Sequence, residues 1–339
     1  MRNMFRLMAQ KLSAGEDVVM VTVVASDGAT PRGAGARMLV TREGRLCGTI
    51  GGGAVEYRSE QIAAEVLKDR SSGEHDFNLT RADVQNLGMI CGGAVKVYFR
   101  FIPGGDREAL DICAKAEEMF ALGRDLWLIF DIARGGKLAL YTREEGYFGL
   151  ENAPEWLSGL LTRHPVRKAK GENDFYAEQI NSSGRVYIFG CGHVAQELVP
   201  VLSHVGFRCV VMDDRPAFAD RALFPDAEDV RIIDFEHIDK TVDVTAEDYC
   251  CVMSSGHAYD TVIQAQLLHT DACYIGVIGS AHKKAGVFRQ LVEKYGIEES
   301  QLQRITTPIG LSIKAETPAE IAISIAGEMI QLRAERNEK

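Results

Sequence analysis

The chain lacks any apolar run approaching the roughly 18 residues that a bilayer-spanning helix requires, so a membrane protein is not expected. Its first residues, MRNMFRLMAQKL, contain neither an uninterrupted apolar segment nor a small-residue cleavage site. A signal peptide is therefore not expected, and the expected compartment is the cytoplasm. No C-x-x-C pair occurs among the eight cysteines, which are scattered, several of them inside strand-like apolar runs. In a cytosolic chain that pattern reads as buried thiols, with no disulfide framework, zinc site or other intrinsic metal site expected. Excess positive charge is missing too. The formal net charge of −10 argues against a general nucleic-acid binder but still permits a local basic pocket for an anionic ligand. Internal repeats and low-complexity tracts are absent.

With 339 residues, 46% of them hydrophobic and 25% charged, the chain can bury a sizeable core and is long enough for two domains. The first helix is followed by a β-branched run at Val18–Ala25, a Gly/Pro-containing loop, and a second strand near Arg37–Thr41. A helix is expected from Ala54 to Lys68, strands near Ala94–Phe101, Leu126–Ile132 and Lys137–Thr142, and a helix at Arg107–Leu122. This is an α+β pattern. The composition turns polar between Arg163 and Gly184, with a short strand at Tyr176–Ile180, and the domain boundary is placed there: 1–182 and 183–339. Beyond it, strands alternate with helices, which points to a parallel sheet covered by helices. The fold class is thus α/β: an N-terminal α+β domain, then a C-terminal Rossmann-like, doubly wound parallel-sheet domain. Thr317-Pro318-Ala319-Glu320 opens a last helix, expected to reach Arg333, with a capping hydroxyl, a first-turn proline and a capping glutamate.

Gly190-Cys191-Gly192-His193-Val194-Ala195 matches G-x-G-x-x-G/A directly after a strand and at the opening of a helix. Gly190 would permit the tight turn, Gly192 the approach of a phosphate, and Ala195 close packing of the helix on the sheet. The helix N-terminus favours an anion, and His193 at its start is expected to assist phosphate binding. Asp213, about 20 residues further on, is expected at the end of the next strand, where it can accept hydrogen bonds from ribose hydroxyls; Asp214 is its rival. His257, after the fourth strand, is a candidate to bond a ligand, to act as acid or base, or simply to cap its loop. Gly279-Ser280 should end at the same side of the sheet. Cys250 and Cys251, within a strand, are expected in the core.

The N-terminal half carries two further glycine clusters. In Asp27–Arg37 the glycines, Gly33 among them, allow close backbone approach, while Arg32 and Arg37 offer planar forks suited to phosphate or carboxylate. Gly51, Gly52 and Gly53 precede a helix, so their N–H groups could form an anion-binding nest. Glu56 in the first helical turn either compensates the helix dipole or bonds a heterocycle. Cys91, in the turn Met89-Ile90-Cys91-Gly92-Gly93, is the thiol with a candidate role in sulfur handling or ligand contact, since backbone N–H groups there could lower its pKa. Arg32, Glu56 and Cys91 are expected around one pocket.

Taken in order, ATPRGAGARMLV, GTIGGGAVE, GMICGG, IFGCGHVAQEL, MDDRPAFA, YIGVIGSAHK and TPIGLSIKAETPAEIAISI resemble the XdhC/CoxI family. These are accessory factors that mature molybdenum hydroxylases such as xanthine dehydrogenase. The resemblance implies a chaperone that binds molybdenum cofactor, supports its sulfuration with a cysteine desulfurase, and delivers it to the apo-hydroxylase. It implies a cradle at Arg32, Gly33, Gly52, Gly53, Glu56 and Cys91, with Gly190, Gly192 and Asp213 holding the nucleotide-like portion or a separate NAD(P) or other nucleotide. Ala54 departs from relatives that carry cysteine after the glycine triplet, which puts sulfur handling on Cys91 or removes it. A cofactor carrier, not an enzyme, is thus the first reading, and a homodimer the expected assembly. An NAD(P)-dependent oxidoreductase and a nucleotide-sensing regulatory module are the alternatives.

Overall fold

The computed structural model describes every residue except 29, 31, 79–92, 258, 280, 338 and 339, and also leaves out the side chains of 257, 281–283 and 337. The chain divides into two compact units, Met1–Ser182 and Ser183–Lys339.

The first unit is built on two antiparallel sheets. The first contains β1 (Val18–Asp27), β2 (Arg37–Thr41), β3 (Gly44–Thr49), β4 (Gly73–Asn78) and β5 (Ala94–Ile102), in the order β3-β2-β1-β5-β4. The second contains β6 (Leu126–Asp131), β7 (Lys137–Thr142), β8 (Gly146–Phe148), β9 (Val166–Lys170) and β10 (Asn173–Asn181), in the order β8-β7-β6-β10-β9. The period-two alternation of strand side chains sorts them into layers. Met20, Leu39 and Tyr98 of the first sheet meet Leu128, Phe130 and Tyr176 of the second in one core. Helices α1 (Arg2–Ser13) and α3 (Arg107–Leu122) add Phe5, Met8, Ile112 and Met119 to it. The opposite face of the first sheet, Val19, Val21, Met38 and Val40, is covered by Val55, Ala63 and Leu67 of α2 (Gly53–Asp69). Helix α3 is bounded as its sequence dictates: Asp106 accepts from the Ala109 N–H at 3.1 Å, and Gly123 closes it in the left-handed conformation.

The second unit is a six-stranded parallel sheet with helices on both faces. Its strands are β11 (Val186–Phe189), β12 (Cys209–Asp213), β13 (Asp229–Ile232), β14 (Tyr249–Val252), β15 (Tyr274–Val277) and β16 (Ile305–Thr306), in the order β13-β12-β11-β14-β15-β16. Numbered within the unit this is 3-2-1-4-5-6, the doubly wound dinucleotide-binding order, with its switch point between β11 and β14. Helices α4 (His193–His204) and α7 (Pro318–Asn337) cover one face through Leu198, Leu202, Ile325 and Met329. Helices α5 (Asp260–Leu268) and α6 (Ala281–Tyr295) cover the other through Ile263, Leu267 and Leu291. Cys250 and Cys251 are fully buried, one facing each layer.

Helix α7 starts with the expected reciprocal cap. Glu320 accepts from the Thr317 N–H at 2.9 Å, and the Thr317 hydroxyl accepts from the Glu320 N–H at 3.3 Å. The helix runs four residues past the expected Arg333, to Asn337. Its last turns are fastened: Arg333 donates to the Val205 carbonyl at 3.0 Å and lies 4.3 Å over the Phe207 ring, and Arg336 donates to the Ala246 carbonyl at 2.8 Å. Midway, Glu328 accepts from the Tyr274 hydroxyl and from the Gly310 N–H at 2.8 Å, tying α7 to β15.

Candidate functional site

In the first unit, β3 runs into the glycine triplet, and all three glycines have positive φ: Gly51 at 128°, Gly52 at 74° and Gly53 at 60°. That backbone, which other residues adopt only with strain, turns the chain into the N-terminus of α2. Glu56 organises the turn. One carboxylate oxygen accepts from the N–H groups of Ile50 at 3.0 Å and Gly52 at 3.2 Å and from the Thr49 hydroxyl; the other accepts from Arg45. Burial pushes the Glu56 pKa up, but the Thr49 hydroxyl, the two N–H groups and the Arg45 charge together outweigh it, leaving the pKa below its ordinary value. The nest thus holds its own carboxylate, so Glu56 does more than balance a dipole. Above Gly52 the space is open, with no atom within 4 Å of the position a Cβ would occupy.

Arg37 and Arg32 part company. Arg37 is buried: it donates to Thr22 at 2.9 Å and to Glu178 on β10, and its guanidinium lies 5.4 Å from the Phe130 ring centre. The phosphate-binding fork expected of it is engaged inside the core, where Glu178 neutralises it. Arg32 is exposed on the β1–β2 connection, next to Gly33, and makes no bond to Glu56. Of the expected cradle, the structure therefore gathers Gly52, Gly53 and Glu56 in one turn, with Gly51 of the expected nest beside them. Cys91, and the turn around it, lie outside the described residues.

In the second unit Gly190 directly follows β11 with φ at 123°, and a Cβ there would lie 2.2 Å from the Met253 carbonyl oxygen. The glycine lets β11 and β14 abut at the switch point. Gly192 is the N-cap of α4, has no side-chain cap, and like Gly52 faces open space. His193 is exposed at the first helical position. Ala195 is fully buried between helix and sheet. His257 closes a short turn, Ser255–His257, after β14. Ahead of it, Ser254 is clamped by Asp260, which accepts from its N–H at 3.1 Å and its hydroxyl at 2.5 Å. Ser280 lies outside the described residues.

Asp213 does stand at the end of β12, but it is wholly buried. Its Oδ1 accepts from the Arg215 N–H at 3.0 Å and Nε at 2.8 Å; its Oδ2 accepts from the Cys191 N–H at 2.8 Å and Arg215 Nη2 at 2.9 Å. A carboxylate has about four lone-pair sites, and all are filled. The ribose-accepting role expected of Asp213 does not fit this geometry; the residue instead ties the glycine loop to the strand end. Burial pushes its pKa up, but Arg215 and the two N–H groups outweigh that and hold it below the ordinary value. Asp214 is pushed the other way, by burial and then by its neighbour Asp213.

Sequence reasoning missed Arg45, Thr49, Glu178 and Arg215. Arg215 had a signal, since it stands two places after the strand-terminal acid in MDDRPAFA. The others are reached only through tertiary contact. Among the described residues no cluster of His, Cys, Asp and Glu could hold a metal ion, and no helix is long and apolar enough to cross a membrane.

Two family models match the chain: the XdhC Rossmann domain over residues 186–329, and the XdhC and CoxI family over residues 12–78. The chain is 27% identical to a probable xanthine dehydrogenase subunit from Bacillus subtilis (strain 168), over 98% of each sequence. It is 22% identical to the molybdenum cofactor insertion chaperone PaoD of Escherichia coli (strain K12), covering 99% of this chain and 90% of that one. A crystal structure described as a xanthine dehydrogenase from Bacillus halodurans superposes with a TM-score of 0.77 at 25% identity, covering 97% of this chain and 95% of that one.

Proposed function

Because this chain belongs to the XdhC and CoxI family, we propose that it binds molybdenum cofactor as cargo and inserts it into a molybdenum hydroxylase of the xanthine dehydrogenase type. We extend the proposal to sulfuration of the cofactor in concert with a cysteine desulfurase, before delivery to the apo-hydroxylase. The same reading makes the chain a cytoplasmic, homodimeric carrier.

The observation that carries it is a shared geometry. Gly52 and Gly192 each precede a helix, each lacks a side-chain cap, and each leaves open space where a side chain would stand. Such places admit a phosphate to helix N–H groups. Molybdenum cofactor presents a phosphate and a polar pterin, and its dithiolene holds the metal, so the protein need supply no ligand set. In this reading Arg32, Gly33, Gly51, Gly52 and Gly53 receive cargo in the first unit, and Gly190, Gly192 and His193 receive a phosphate-bearing part or a nucleotide in the second.

Sulfur handling is assigned to Cys91. Burial pushes Cys113, Cys191 and Cys209 up to about 12 and raises Cys47, Cys250 and Cys251 as well, which keeps those sulfurs as protonated thiols.

Anaerobic titration of the purified protein with molybdenum cofactor, alongside NAD(H) and NADP(H), tests the reading. Tight pterin binding, transfer to an apo-hydroxylase, and loss of sulfurated product with Cys91→Ala are expected. Nicotinamide binding and turnover without any pterin binding would overturn it in favour of an oxidoreductase. Nucleotide binding with neither turnover nor pterin affinity would favour a regulatory module.

A further inference from the structure

The end of β12 carries an arrangement that decides which ligand the second unit can take. A Rossmann site that binds an unphosphorylated ribose offers an acid at this place, with its oxygens free for the two hydroxyls. Here the acid is Asp213, and Arg215 and two backbone N–H groups fill it. Asp213 has no lone pair left for the hydroxyls.

Arg215, by contrast, retains donors. A guanidinium carries five N–H bonds in a rigid fork. Asp213 takes one from Nε and one from Nη2, and no other hydrogen bond to this side chain forms among the described residues. Both N–H groups of Nη1 and the second of Nη2 remain, so a second edge of the fork points away from Asp213. Two neighbours hold that edge still: the bidentate pair with Asp213 fixes the plane, and the Phe218 ring lies 3.8 Å from the guanidinium carbon. The side chain is 35% exposed. The Asp214 carboxylate approaches to 3.8 Å, but from the Nε side that Asp213 already uses.

We infer that Arg215 is the specificity-determining residue of the second unit, taking a phosphomonoester through its Nη1/Nη2 edge, with Asp213 as its positioning residue. The inference rests on the reading that this unit binds a phosphate-bearing ligand, and it names the class: a ligand ending in a phosphomonoester dianion, preferred over the same ligand with a bare hydroxyl. A nucleotide 2′-phosphate and the terminal phosphate of a pterin side chain share that chemistry.

Calorimetric titration of the full chain with two matched pairs tests it: NADP⁺ against NAD⁺, and molybdopterin before and after phosphatase treatment. In at least one pair the phosphorylated member should bind about tenfold tighter or more, as a charge-assisted bidentate contact provides. The pair that discriminates identifies the source. Arg215→Gln should abolish the preference. Arg215→Lys, which keeps the charge and loses the fork, should abolish most of it and guards against a folding artefact, with circular dichroism confirming the fold of both variants. Equal affinity within each pair, or a preference that survives Arg215→Lys, overturns the inference. If the pterin binds equally with and without its phosphate, the carrier reading stands and the inference alone falls. If neither pair binds, both fall.

Discussion

Arg37 on β2 and Glu178 on β10 form an ion pair with side chains only 1% and 6% exposed, joining the two sheets of the first unit through its core. Gly35 is part of the same arrangement, since a Cβ there would come within 2.8 Å of the Glu178 carboxylate. Removing one partner leaves a buried charge without its counter-charge, whereas replacing both with apolar groups of similar volume removes the desolvation cost as well.

Glu178→Ala should therefore lower the stability of the first unit by about 3–5 kcal/mol, and the double change Arg37→Met with Glu178→Leu by much less. Both tryptophans of the chain, Trp127 and Trp156, belong to this unit, so their fluorescence in a urea titration reports it selectively.

The Glu56 clamp gives a pH signature. Its folded-state pKa is depressed, so its stabilising contribution is complete above the unfolded value of about 4.3 and is lost as pH falls through the folded value. Glu56→Gln should be less stable than the parent at neutral pH, and the difference should close on acidification below about pH 4.3. A gap between the two melting curves that persists unchanged well below about pH 4.3 would show that the charge of Glu56 does not hold the loop.

The two glycines of the Rossmann loop should respond in opposite ways. Gly190→Ala forces a Cβ against the Met253 carbonyl at a strained φ, and should destabilise the second unit by more than about 3 kcal/mol. Gly192→Ala places its methyl in open space at an ordinary φ of −73°, so the unit should melt like the parent while ligand affinity falls. Thermal melts followed by far-ultraviolet circular dichroism, paired with ligand titration, separate the two.

Glu328 serves two donors at once, the Tyr274 hydroxyl and the Gly310 N–H. Glu328→Ala removes this acceptor from both donors in a part-buried setting, and about 1–3 kcal/mol should be lost in total. Tyr274→Phe, which removes only one donor, should cost less, as a denaturant titration of the second unit would show.

Much of this architecture is legible in the residues themselves. The β-branched run at Val18 announces β1, and the strand–Gly190-Cys191-Gly192–helix succession announces the Rossmann half, because backbone geometry there depends on local residue type. Helix α2 starts and ends within one residue of the expected Ala54–Lys68. Besides the two-residue β16, the strands that escape notice are β4, β8 and β9, all at sheet edges. Their faces stay wet, so GEHDFN needs no apolar alternation to serve as β4. The site divides the same way. A glycine motif shows where the chain can turn, but whether Asp213 faces a ligand or Arg215 is set by tertiary packing. Glu178 is many strands away from Arg37 in sequence, and nothing local links them.

The fastening of the last turns of α7 has a practical corollary. Val205 and Ala246 lie in the segments that lead into β12 and β14, so Arg333 and Arg336 grip the amino-end side of the sheet, while the glycine loop and Arg215 occupy the carboxyl-end side. Ala334, exposed on that gripped turn, is thus a place for a dye or a surface tether. A sensor chip loaded through it would hold the second unit with its crevice turned toward the flowing sample, oriented by the fold instead of by chance.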